Sequence, residues 1–102
     1  MAVRFGLVVR LVAKEGREEE VATFLAGALP LAQAEAFTPA WFAVRADRSV
    51  FYIVDFFPEA AGRDQHLGGP IAAALMAKAP ELLAEPPKIE RVDVLAAKLP
   101  GS

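Results

Sequence analysis

Two residues have the type and spacing for proton chemistry. His66 is the only histidine in the chain, and Asp55 is the only charged residue in the apolar run VFYIVDFF over residues 50–57. An imidazole titrates near physiological pH. A carboxylate held in apolar surroundings has its pKa raised toward that range. Together they could take a proton from a weakly acidic substrate, with His66 as base and Asp55 as its partner. Trp41, Tyr52, Phe57 and Phe24 are candidate walls of an apolar substrate pocket, and Trp41 and Tyr52 also carry hydrogen-bond donors.

Each of these residues has a plainer reading. His66 can cap or bond to a loop. Asp55 can form a structural ion pair with Arg10, Arg45 or Arg91, and that reading is preferred for it. Aromatic residues at strand spacing are ordinarily core or interface. The three arginines could hold an anionic group, but solvated rims or salt bridges between subunits account for them as well. Gly68 and Gly69 ahead of a helix could offer free N–H groups to an anion. Glu59 and Arg63 read as an ordinary surface pair.

Composition narrows the chemistry. The chain has 102 residues, the length of one domain spanning residues 1–102. With no cysteine, it has no disulfide, thiolate metal site or cysteine nucleophile. A single histidine leaves a zinc site short of ligands, so no metal and no cofactor are expected. A net charge of −2 supplies no basic stripe for nucleic acid. Arg4 and Arg10 interrupt the first apolar run, which therefore does not read as a signal peptide. No segment reaches the ~18 uninterrupted apolar residues of a membrane span. The expectation is a soluble, cytoplasmic protein.

The elements that must position the two residues follow from pattern. Alternation over residues 3–13 gives a first strand, in which Gly6 marks a bulge or a place of close packing. Apolar residues at three- and four-residue spacing give a helix over residues 17–29, opened by Glu18, Glu19 and Glu20 as a solvated first turn. Pro30 ends or kinks it, and a further turn reaches Ala36. Residues 41–46 form a short edge strand, joined by a tight turn to the strand at 50–57. Pro58 ends that strand, and residues 59–66 form a short helix bearing His66. Gly68, Gly69 and Pro70 open another helix over residues 70–84, interrupted at Pro80. A last strand covers residues 89–98.

The resulting order, β-α-β-β-α-β, is that of the α+β, ferredoxin-like fold with a four-stranded antiparallel sheet. Its helices cover one face of the sheet. The strand at 50–57 is apolar on both faces, with Val50, Tyr52, Val54 and Phe56 on the side away from the helices. Covering that side is worth roughly 25 cal/mol per square ångström. The expected partner is a second copy, its sheet stacked face to face to make a dimeric α/β barrel.

The sequence resembles the antibiotic-biosynthesis-monooxygenase domain family, over residues 3–98. Members show an acidic residue at the end of the third strand, an aromatic two residues on, and a helical histidine nine residues after that; here these are Asp55, Phe57 and His66. The resemblance implies a homodimeric, cofactor-independent monooxygenase acting on a small hydrophobic aromatic or quinol. It departs from the family where relatives place a pocket asparagine, since the chain has none, and where they place a tryptophan, since Phe57 stands there. Haem degradation is therefore not expected. The alternative is a non-catalytic dimeric module of the same fold, holding an apolar metabolite or serving as a structural unit.

Overall fold

A computed structural model describes residues 2–100. Eight elements follow in order: β1 (Phe5–Val12), α1 (Glu18–Gly27), α2 (Leu29–Gln33), β2 (Ala40–Arg45), β3 (Val50–Phe57), α3 (Ala60–Leu67), α4 (Pro70–Leu82) and β4 (Lys88–Asp93). The strands make one antiparallel sheet in the order β2-β3-β1-β4. This is the ferredoxin-like arrangement expected from the sequence, with β3 and β1 in the middle.

Local chemistry explains the element ends. Gly16, at a φ of 85°, makes the left-handed turn before α1. Glu18 does not lie in the solvated turn expected of it: it is buried and accepts a hydrogen bond from the Gly16 N–H at 3.0 Å. Pro30 sits in the first turn of α2, where its missing N–H costs nothing. Pro80 lies inside α4 without ending it, and Lys14 Nζ donates to its carbonyl at 2.7 Å. β4 is shorter than expected because Asp93 already pairs with Phe5, the first residue of β1. Beyond Asp93 one further bond, from the Val94 N–H to the Arg4 carbonyl at 2.9 Å, continues the pairing.

Burial alternates along β3, with Phe51, Ile53, Asp55 and Phe57 all inside. With Leu7, Val9 and Leu11 of β1 they form the sheet side of the core, against Val21, Leu25, Leu75 and Leu82 of the helices. The close packing expected at Gly6 is present. A Cβ there would meet Phe56 Cδ1 at 2.9 Å, the Asp55 carbonyl at 3.0 Å and Val92 Cγ2 at 3.0 Å. The other sheet face carries no helix. On it Phe42 and Val44 stand opposite Val54 and Tyr52, and are 52% and 47% exposed.

Candidate functional site

α3 returns over the strand that precedes it. Pro58 and the extended Glu59 turn the chain, and α3 then runs back along the helix face of β3. His66 is thereby carried over Asp55, with its ring centroid 5.5 Å from that of Phe57 and tilted by 47°. His66 Nε2 lies 2.9 Å from Asp55 Oδ2. Its other nitrogen, Nδ1, lies 2.6 Å from Oε1 of Glu35, which follows α2. The Thr38 hydroxyl donates to the same Glu35 oxygen at 2.9 Å. All four side chains are buried, Asp55 completely.

The result is a carboxylate–imidazole–carboxylate run inside the protein. Burial alone would lower the His66 pKa, but its contacts with Asp55 and Glu35, and their negative charges, outweigh it and raise the group above its ordinary 6.5. Burial raises Asp55 above its ordinary 3.8; His66 offsets this in part, and the Glu35 charge adds to it. The 2.9 Å approach of Nε2 to Oδ2 is an ion-pair separation without the alignment of a straight hydrogen bond. Charge attraction needs no such alignment, so the pairing stands. Both Asp55 oxygens, Glu35 Oε2 and Trp41 Nε1 are buried without an aligned partner. Because the carboxylates flank opposite ring nitrogens, they do not converge on one ion. Among the described residues no group of three or more acidic, histidine or cysteine side chains is placed to hold a metal.

The remaining expected site residues separate into two sets. Phe57 is fully buried against His66. Trp41 is the direct cross-strand partner of Asp55 on β2 and packs on Ala28, Ala32 and Ile71. It also lines, with Thr38 and Pro39, a cleft of about 320 Å³. Tyr52 is not with them: strand alternation puts it on the helix-free face, opposite Arg10 and Val44. Phe24 is not with them either. It packs beside Leu11, whose partner Phe51 is four residues, or about 13 Å, along β3 from Asp55.

Asp55 does not take the arginine partner preferred for it. Arg10 lies on the opposite sheet face and pairs with Glu85 at 3.0 Å. Arg45 pairs with Glu19 at 2.9 Å and lies over the Phe51 ring. Arg91 shares the face of Asp55, but Leu7 of β1 stands between them. The Glu59–Arg63 surface pair is also absent. Arg63 turns over the Phe5 ring, 5.4 Å from its centroid, and toward the carbonyls of Gly6 and Val92. Glu35 is the residue that sequence reasoning missed.

No protein-family model and no curated protein matches the chain. A solved structure of a protein of unknown function from Nitrosomonas europaea matches with a TM-score of 0.95 and 54% identity, over 99% of this chain and 98% of its own. The chain belongs to that protein's family. A second Nitrosomonas europaea protein, provisionally named an antibiotic biosynthesis monooxygenase, matches with a TM-score of 0.80 and 13% identity, over 90% of this chain and 99% of its own. One from Chloroflexus aurantiacus, named in the same way, matches with a TM-score of 0.72 and 13% identity, over 93% and 96%. The family of this chain therefore has the fold of the antibiotic-biosynthesis-monooxygenase-like proteins. Among the described residues no helix is long and apolar enough to cross a membrane.

Proposed function

We propose that the chain is an enzyme that removes a proton from a small apolar hydroquinone and lets the anion react with dioxygen, without metal or organic cofactor. The observation that carries this reading is the buried Asp55–His66–Glu35 run. The roles differ from those expected from the sequence. Both His66 nitrogens face carboxylates, so neither is turned toward a substrate. The free basic atom is Asp55 Oδ1, which no aligned donor satisfies. Asp55 is thus the proton acceptor, and His66 positions it. The hydroquinone then supplies all four electrons to dioxygen: one oxygen atom enters the ring to give a hydroxyquinone, and the other leaves as water.

Trp41 and Phe57 are the pocket walls in this reading. Trp41 borders both the cleft and Asp55, so the substrate enters as the indole turns aside. The helix-free sheet face is covered by a second copy of the chain, because Phe42, Val44, Tyr52, Val54 and Phe56 share it. The test is dioxygen uptake with a panel of hydroquinones. Loss of about 10²-fold or more in His66→Ala and Asp55→Asn is expected from a missing acid–base unit. No uptake with any hydroquinone, or equal rates in the variants, removes the reading.

A second reading rests on the completeness of the burial. A wholly buried Asp55 with His66 and Glu35 around it also describes a polar staple that fastens α3 and the α2–β2 connection to the sheet. In that case the chain is a non-catalytic dimeric module, and its variants change stability alone.

A further inference from the structure

Asp55 is completely enclosed, so no water exchanges protons with it directly. A polar path nevertheless leads from it toward solvent. Asp55 Oδ2 is 2.9 Å from His66 Nε2, His66 Nδ1 is 2.6 Å from Glu35 Oε1, and Thr38 Oγ1 is 2.9 Å from the same Glu35 oxygen. Thr38 in turn lines the cleft beside Trp41. Every separation on this path is within hydrogen-bonding distance, and the Nε2–Oδ2 step also needs the two groups to come into line. An imidazole is suited to the middle position, since one nitrogen can accept a proton as the other yields one.

We propose that Asp55, His66, Glu35 and Thr38 form a proton relay in which Glu35 is the solvent-side station. The relay deepens the reading of Asp55 as proton acceptor and rests on it. With the ring neutral and protonated at Nδ1, a proton on Asp55 Oδ2 passes to Nε2, and the Nδ1 proton passes to Glu35 Oε1. Charge moves from Glu35 to Asp55, and the ring ends in its other tautomer. The reverse passage restores it. During turnover the proton taken from the hydroquinone is parked on Glu35 while the anion meets dioxygen, and it returns as water forms. Parking it on the far side of the imidazole prevents recapture by the anion. Thr38 connects the parked proton with the cleft: its hydroxyl, which donates to Glu35 Oε1 at 2.9 Å, turns to give its own proton to water in the cleft and takes the Glu35 proton on Oγ1.

Glu35 is here a positioning and relay residue, touching no substrate. Its relay role and a purely structural role move one observable in opposite directions. That observable is the solvent-exchange rate of the His66 ring protons, read by NMR in the ligand-free full chain at fixed pH. In Glu35→Gln the relay loses its exit, and exchange slows by about tenfold or more, the size of a missing proton-transfer partner. Thr38→Val, which keeps the shape and removes the hydroxyl, slows exchange in the same direction. If Glu35 only clamps the ring, both variants loosen it and exchange speeds up. Faster or unchanged exchange in Thr38→Val overturns the relay, including where Glu35→Gln does not fold. The measurement uses no substrate, so failure of the relay is distinct from failure of the hydroquinone assay.

Discussion

Glu35 and His66, 31 residues apart in sequence, meet at 2.6 Å between Oε1 and Nδ1 in the interior of the protein. The contact ties the connection before β2 to α3, and Asp55 on the other side ties the same imidazole to the central strand. Three separate parts of the chain are joined by one ring.

Removing that ring leaves two buried carboxylates facing a void. Breaking a buried ion pair by deleting one partner costs about 3–5 kcal/mol. His66→Ala is expected to lower the urea-unfolding free energy by that order with little change in the slope. A loss below about 1 kcal/mol, the worth of an exposed pair, contradicts the burial of the charges.

Stability should fall as pH rises across the His66 titration. The folded protein holds this proton more tightly than the unfolded chain. The associated stability is complete below the ordinary pKa of 6.5 and is lost as pH climbs through the raised folded value. Asp55, also raised, has the same sign from its ordinary 3.8 upward. Urea midpoints measured against pH should decline above the His66 onset. That part of the decline should vanish in His66→Ala; an upward slope there contradicts the assignment.

Two glycines should respond oppositely to alanine. A Cβ on Gly69 would stand 3.1 Å from Glu35 Oε2, 3.2 Å from the His66 carbonyl and 3.3 Å from that of Gln65. The last two are backbone and cannot swing away, so Gly69→Ala should cost about 1–3 kcal/mol, as overpacking does. Gly27, the last residue of α1, has nothing within 4 Å of the same atom. Gly27→Ala should stabilise by about 0.5–1 kcal/mol through helix propensity. Thermal unfolding of both variants checks the pair, and a destabilised Gly27→Ala would refute the open space.

The helix-free face should be an interface. Phe42 and Val44 lie on the edge strand β2, so lysine at Phe42 disturbs no core packing. Light scattering at micromolar concentration should give a dimer for the natural chain and a monomer for Phe42→Lys. A natural chain that is monomeric there refutes the covering of this face by a second copy.

Most of the fold was legible because its signals are local. Alternation in β1, the apolar β-branched and aromatic run of β3, the Gly16 turn and the Gly69–Pro70 helix start each act over a few residues. The meeting of Asp55, Phe57 and His66 is likewise local, since a short helix folds back on its own strand. Glu35 was not legible. It lies in an alanine-rich stretch after Pro30, and nothing near it in sequence says that α2 will deliver it to α3. Residue type alone suggests Tyr52 and Phe24 for the pocket. Type does not decide the side of a strand or the distance along it; the register does. Strand order gives Asp55 arginine neighbours, yet each lies on the wrong face, too far along, or behind Leu7.

The most direct measurement is the absorption spectrum of a nitrophenol bound to the ligand-free protein without oxygen, at a pH below the probe's own pKa. Phenol and phenolate forms absorb at different wavelengths, so the spectrum reports who holds the proton. With Asp55 as acceptor, the bound probe shows the phenolate spectrum, and Asp55→Asn returns it to the phenol spectrum. A probe that binds the natural protein as the neutral phenol contradicts a proton acceptor at this site.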